Sequence, residues 1–169
     1  SGLETTLLRP TMIYGPGNDR NISRMRDYLR RHRVVPVFGS GERLVQPVYV
    51  VDVAEAVAAV LDRSRTVGKA YELAGKSPLA YTELIDTLCR MLGRTVLKVY
   101  LPISISLPLV KLYGWASKTP RITPDQVRRM GEDQAFDISD AERDLGYAPR
   151  GFEKGVREAM RVNGLKIED

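Results

Sequence analysis

Several kinds of chemistry are excluded by what this sequence lacks. It has one cysteine, Cys89, so no internal disulfide framework is available. That usage fits a reducing compartment, and the cytoplasm is the expected location. It has one histidine, His32, with no thiolate cluster beside it, so no metal site is expected. Nothing pairs His32 with a serine nucleophile and an acid. The most apolar stretch, Leu101 to Ala116, is broken by Pro102, Pro108 and Lys111. It falls short of the roughly 18 residues that a membrane span needs. No Gly-x-Gly-x-x-Gly turn occurs. Gly15-Pro16-Gly17 and Gly39-Ser40-Gly41 both lack the third glycine, so the phosphate-cradling turn of a dinucleotide site is not among these residues. No internal repeat or low-complexity segment is present.

What is present suits a globular α/β chain. Of its 169 residues, 43% are hydrophobic and 28% charged, enough to bury a sizeable core. The formal charge of +5 permits anionic partners without requiring them. Six arginines crowd residues 20–33: Arg20, Arg24, Arg26, Arg30, Arg31 and Arg33. A basic helix of this kind can bind phosphate or nucleic acid. Against nucleic acid stands the lack of any interleaved aromatic except Tyr28, and the simpler reading is a solvated helix face. Carboxylate pairs such as Asp125 with Glu132, or Asp140 with Asp144, read as solvated faces and caps. Cys89 reads as a small buried hydrophobe.

Periodicity switches repeatedly between strand and helix. Thr5 to Leu8 reads as a strand running into Arg9-Pro10. Residues 20–33 read as a helix with Ile22, Met25 and Leu29 on one face. Val34 to Phe38 reads as a short strand. Gln46 to Val51 is an apolar run leading into Asp52, a candidate N-cap with Glu55 completing a capping box. The helix after it is expected to bury Val53, Val57, Val60 and Leu61. Lys69 to Ala74 is a strand stopped by Gly75. A helix from Thr82 to Leu92 ends at Gly93, and Val96 to Tyr100 is a further strand. Residues 105–117 read as an apolar helix. Thr123-Pro124-Asp125-Gln126 and Ser139-Asp140-Ala141-Glu142 carry helix-start signals. A last helix from Phe152 turns Val156, Ala159 and Met160 inward. Strands alternating with helices argue for a largely parallel sheet.

Four motifs, in order, make the sequence specific. They are Arg9-Pro10-Thr11-Met12-Ile13-Tyr14-Gly15-Pro16-Gly17; Gly39-Ser40-Gly41 with Gln46-Pro47-Val48-Tyr49-Val50-Val51-Asp52-Val53-Ala54; Tyr71-Glu72-Leu73-Ala74-Gly75; and Asp137-Ile138-Ser139 with Asp144-Leu145-Gly146-Tyr147-Ala148-Pro149 and Phe152-Glu153-Lys154-Gly155. In this order they resemble the carboxyl-terminal part of extended, atypical short-chain dehydrogenases/reductases, the NAD(P)-dependent epimerase/dehydratase superfamily. The branch they are most similar to contains the NADPH-binding accessory subunit of respiratory complex I. Two departures point that way. Val45 stands where sugar-nucleotide enzymes of the superfamily place an arginine, and Leu101 to Met130 is apolar where they have a shorter polar loop.

The resemblance implies an α/β fold. It would comprise the C-terminal strands of a Rossmann-type parallel sheet plus a small, mostly helical substrate-binding lobe. Residues 1–75 would form the end of the sheet with an insertion from the lobe, and residues 76–169 the lobe itself. The dinucleotide-binding half would lie in a preceding segment and supply NAD or NADP. The family's catalytic Tyr-x-x-x-Lys is not among these residues, since none of the eight tyrosines has a lysine four positions on. No catalytic residue is therefore assigned. Pro10, Thr11, Met12 and Ile13 would contact the cofactor, and Tyr14, Arg43 and Gln46 a small-molecule substrate. The parent would be an epimerase, dehydratase or reductase, with this chain not catalytic alone. The alternative is a non-catalytic assembly subunit whose apolar 101–116 segment faces a partner or, less economically, a membrane surface. A strand near Thr5 without its neighbour would expose an edge, so self-association or a companion half is expected.

Overall fold

The computed structural model describes residues 4–17, 19, 21–102, 104 and 132–164. The helices expected over 105–117 and from Thr123 lie outside the described residues. The others can be compared with the chain's own signals.

Strand β1 (Leu7–Pro10) pairs in parallel with β6 (Ala70–Leu73), Leu7 opposite Ala70 and Pro10 opposite Leu73. Pro10 has no N–H to give, and the ladder ends one residue on, where Thr11 N donates to Leu73 O at 3.1 Å. A second parallel pair joins β2 (Ile13–Tyr14) to β5 (Val48–Tyr49), and a third joins β3 (Val34–Phe38) to β8 (Leu97–Leu101). Strands β4 (Leu44–Val45) and β7 (Leu79–Ala80) pair antiparallel. Parallel neighbours need crossovers. Those on the chain between them are α1 (Ile22–Arg31), α2 (Val50–Leu61) and α3 (Tyr81–Met91). Helices α4 (Ser139–Leu145) and α5 (Phe152–Val162) follow.

Two apolar clusters hold these elements. One gathers Leu29 of α1, Val35 and Val37 of β3, Ile85 and Leu88 of α3, and Met160 of α5. The other packs α2 and α4 against Val48, Tyr71 and Leu73. Cys89 lies in the first cluster, and its burial pushes the thiol pKa up, which suits packing and not nucleophilic work.

Four local readings need correction. The run Gln46 to Val51 is strand only at Val48 and Tyr49, and helix begins at Val50. The two-residue β2 offers no more backbone to pair with, so the β-branched Val50 and Val51 yield to helix. Asp52 is then not an N-cap but sits inside the first turn of α2, 3% exposed. Its carboxylate accepts Arg150 N at 2.9 Å and also takes the Arg150 guanidinium. On α2 the buried residues are Asp52 and Ala56, while Val57 and Leu61 are 45% and 83% exposed. At α4 the serine cap is replaced by Asp137, which accepts Ser139 N at 2.9 Å. Gly146 ends α4 at φ 64°, a left-handed position that favours glycine.

Asp144 fastens α4 to the sheet. Its carboxylate accepts Lys69 Nζ at 2.8 Å and Tyr71 Oη at 2.9 Å, and its carbonyl accepts Arg63 and Arg65. The Lys69 and Tyr71 hydrogen bonds hold this carboxyl well below the usual carboxylate range. The unfolded chain therefore takes up this proton first as pH falls, and the stability that Asp144 contributes is present above about pH 4 and lost below it. Asp144→Asn is expected to lower the melting temperature at neutral pH, with the gap to the parent closing as the pH drops below about 4. Thermal melts followed by circular dichroism across that range check this. A gap of constant size in acid would show that Asp144 acts by packing alone.

Candidate functional site at the carboxyl ends of the strands

The parallel pair β1–β6 ends at Pro10 and Leu73, and the space beyond this carboxyl end is the candidate crevice. Such ends are where open α/β sheets place ligands. The segment from Pro10 to Ile13 runs along it. Pro10 is exposed, Thr11 and Met12 are half-buried, and Ile13 is 37% exposed. Thr11 is held twice, its N–H on Leu73 O and its hydroxyl donating to Gln46 O at 2.6 Å. Met12 O accepts Val48 N at 3.0 Å. The cofactor-side residues expected from sequence thus form one continuous, tethered strip.

Gln46 lies under this strip and is 3% exposed. Its amide nitrogen donates to Gly75 O at 2.7 Å, and its amide oxygen accepts Phe136 N at 2.8 Å. Both ends of the amide are occupied by backbone. Gly75 must be glycine because a Cβ there would lie 2.2 Å from Pro47 O. The Gln46–Pro47 and Gly75 backbones therefore touch, and the amide of Gln46 secures the contact.

Tyr14 points away from the crevice into the first core cluster, at 1% exposure. Its ring meets Tyr49 at 5.6 Å and Phe152 at 5.4 Å, and its hydroxyl donates to Phe152 O at 3.2 Å. Burial, with Asp52 next in weight, pushes its pKa far above the ordinary tyrosine value. Tyr14 is no base at neutral pH. Arg43 is on the surface, 53% exposed, with Asp133 Oδ2 at 3.5 Å. Asp133 also accepts Leu44 N at 3.0 Å, so the 132–136 segment is laid along β4. Of the three expected substrate residues, one is exposed and two are buried supports.

Sequence reasoning missed the part played by Arg150. Its guanidinium lies among Asp52, Glu55 and Glu158 and 5.2 Å from the centre of the Tyr49 ring. Burial raises the pKa of Asp52, and the Arg150 N–H and guanidinium oppose that rise. The available signal was Arg150 directly after Tyr147-Ala148-Pro149, a rigid approach to α5. Among the described residues no cluster of three or more His, Cys, Asp or Glu could hold a metal ion.

This arrangement defines a class: the carboxyl-terminal strands and lobe of a Rossmann-type, extended short-chain dehydrogenase/reductase. The chain belongs to the 3-beta hydroxysteroid dehydrogenase/isomerase family, whose model matches residues 1–103. It is 28% identical over 166 residues to the 3beta-hydroxysteroid-dehydrogenase/decarboxylase isoform 1 of Arabidopsis thaliana, covering 88% of this chain and 38% of that one. It is 35% identical over 104 residues to the mitochondrial NADH dehydrogenase [ubiquinone] 1 alpha subcomplex subunit 9 of the same plant, covering 61% and 26% respectively. The chain thus spans well under half of these relatives. In fold it matches the UDP-glucose 4-epimerase of Thermotoga maritima with a TM-score of 0.69 at 21% identity, covering 94% of this chain and 45% of that one.

The contact between Tyr14 and α5 gives a direct test of this packing. A Cβ on Gly155 would lie 2.1 Å from the Tyr14 hydroxyl oxygen and 3.0 Å from the ring carbon bearing it. Gly155→Ala is expected to destabilise the fold by about 1–3 kcal/mol through overpacking. Tyr14→Phe alone should cost about 1 kcal/mol for the lost hydrogen bond. Together the two should cost less than their sum, because removing the hydroxyl relieves the clash. Urea unfolding of the four proteins measures the coupling, and strict additivity would place the residues apart.

Proposed function

We propose that this chain is the substrate-side portion of an NAD(P)-dependent oxidoreductase, epimerase or dehydratase, and that it is not catalytic by itself. The observation that carries the reading is the tethered strip Pro10 to Ile13 at the shared carboxyl end of β1 and β6, fixed through Thr11 to Gln46 and Leu73. In this reading Pro10, Thr11, Met12 and Ile13 back the nicotinamide, with Thr11 offering backbone and side chain within hydrogen-bond reach. Arg43 supplies a cation to the substrate. Tyr14 and Gln46 act on the substrate from beneath, by holding the wall it lies on. The proton-transferring tyrosine and its lysine belong to a part of the protein not represented in these residues, as does the Gly-rich turn.

A second reading has one specific observation in its favour. The relative at 35% identity is named as a subunit of an NADH dehydrogenase, and Tyr14, expected at the substrate, is buried with its hydroxyl bonded to Phe152 O and its pKa pushed up. On that reading the protein is a non-catalytic NAD(P)-binding assembly subunit.

Titration of the full-length protein with NADPH and NADH, followed by nicotinamide fluorescence, tests both. Binding is expected, and Thr11→Val should weaken it about fivefold, the equivalent of one hydrogen bond of about 1 kcal/mol. No binding at millimolar cofactor would end the oxidoreductase reading. Turnover of a carbonyl or hydroxyl substrate separates an enzyme from an assembly subunit.

The same reading predicts the behaviour of these 169 residues expressed alone. Among the described residues β1 pairs only with β6, and Leu7 on it is 51% exposed. An unpaired apolar edge recruits another strand. Light scattering should show dimers or larger species, and Leu7→Lys should shift them toward monomer. A clean monomer before substitution counts against the missing-neighbour reading.

A further inference from the structure

Helix α2 is apolar on nearly every side. Its 12 residues hold two charges, Asp52 and Glu55. A surface helix shows solvent a polar face, and a helix that is apolar all round is a buried one. Yet Val51, Ala54, Val57, Ala58 and Leu61 are exposed, with Val50 exposed at the head of the same stripe. They follow one another at spacings of three and four, so they share one face.

That face has a direction. Residues of α2 and α4 pack together against Tyr71 and Leu73 of β6, with Leu8 of β1 against the same cluster. Both helices therefore lie on one side of the β1–β6 pair. Asp144 bonds Lys69 and Tyr71, which fixes α4 on β6. Asp52 and Glu55 of α2 hold the Arg150 guanidinium, just past the end of α4. At roughly 100° per residue, Val57 and Leu61 point about half a turn away from those two carboxylates. The stripe thus faces away from α4 and toward the side of β1 that, among the described residues, has no neighbour.

A parallel strand reaches its neighbour through a crossover, and such crossovers are right-handed. The crossover from β1 to β6 carries α2 on the Leu8 side. A strand added at the free edge of β1, stepping in the same direction, puts its own helix on that same side, next to α2. We propose that this helix, from the segment preceding β1 in the full-length protein, docks along the α2 stripe. The inference rests on the reading that a dinucleotide-binding half precedes these residues. The chain covers 38% of the plant dehydrogenase/decarboxylase and 45% of the epimerase, so such relatives have ample further chain. Ala54 and Ala58 let the incoming helix axis approach closely. The stripe carries no lysine or arginine with which to hold an anionic bilayer or a nucleic acid. At 12 residues α2 is also too short to cross a membrane.

Maleimide labelling of cysteines placed one at a time in the full-length protein, read site by site by mass spectrometry, tests this. Ala54→Cys and Val57→Cys are expected to react at least about tenfold more slowly than Glu142→Cys, a position on the open surface of α4. Val57→Glu should lower the melting temperature by about 5 °C or more, because it buries a charge, and leave the sedimentation coefficient unchanged. NADPH and NADH titration of the same samples keeps the docking apart from the functional reading. Labelling as fast as that of Glu142→Cys, in protein that binds NADPH, overturns the docking and leaves the functional reading in place. Protection in protein that binds neither cofactor supports the docking and ends the functional reading. Protection that fades on dilution, or a dimer that Val57→Glu turns into monomer, overturns the docking in favour of a second copy of the chain.

Discussion

The crevice depends on one buried amide. Gln46 ties three segments that are far apart in sequence: its carbonyl takes the Thr11 hydroxyl, its amide nitrogen donates to Gly75 O, with Pro47 O also against Gly75, and its amide oxygen accepts Phe136 N. The first is the end of β1, the second the end of β6, the third the segment returning from β8 to α4. A buried amide that satisfies both of its ends stabilises one arrangement and penalises every alternative, because a misplaced partner leaves a polar group unpaired at a cost of about 1–3 kcal/mol. The position of the Pro10–Ile13 strip is in this sense set from below. Its own side chains contribute less to its placement than the residue beneath it.

Arg150 plays the matching part for α5. It links the first turn of α2, through Asp52, to Glu158 on α5 itself. Tyr49 and Tyr14 fill the space between, and Gly155 lets α5 approach Tyr14 more closely than any side chain would permit. The pKa directions agree with this geometry. Burial raises Asp52, yet the arginine keeps a carboxylate worth having there, and the tyrosines are driven away from ionisation. These groups carry load in the packing.

Much of the fold was legible in the sequence because hydrophobic periodicity reports which face is buried. Val34 to Phe38 and the helices near 22–31, 81–91 and 152–162 follow directly from spacing. The order of strands and helices implied a parallel sheet, and the parallel pairs agree with it. Boundaries were less legible where tertiary partners decide them. Val50 and Val51 read as strand, but the short β2 gives them nothing to pair with. Asp52 and Ser139 have the residue types of caps, and their actual surroundings put Arg150 and Asp137 in the controlling positions. Val57 and Leu61 have helical spacing for burial, yet they face outward. Periodicity says that a face is apolar; it does not say what covers it.

The candidate site shows the same divide more sharply. The segment from Arg9 to Gly17 stood out in the sequence, and the structure puts Pro10 to Ile13 at the carboxyl end of β1, tethered through Thr11. For Tyr14 and Gln46, the resemblance implied contact with a substrate. Both make hydrogen bonds, but to the chain's own backbone, at Phe152 and at Gly75 and Phe136. A sequence shows that a polar group near a crevice must be satisfied; only the fold shows by what. The consequence for chemistry follows from charge. With Tyr14 buried and far from its ionisation range, and Gln46 neutral, the one ionised side chain among the expected site residues is Arg43. On the proposed reading, the expected site residues give a reaction a tethered wall, a fixed hydroxyl at Thr11 and the Arg43 guanidinium beside Asp133.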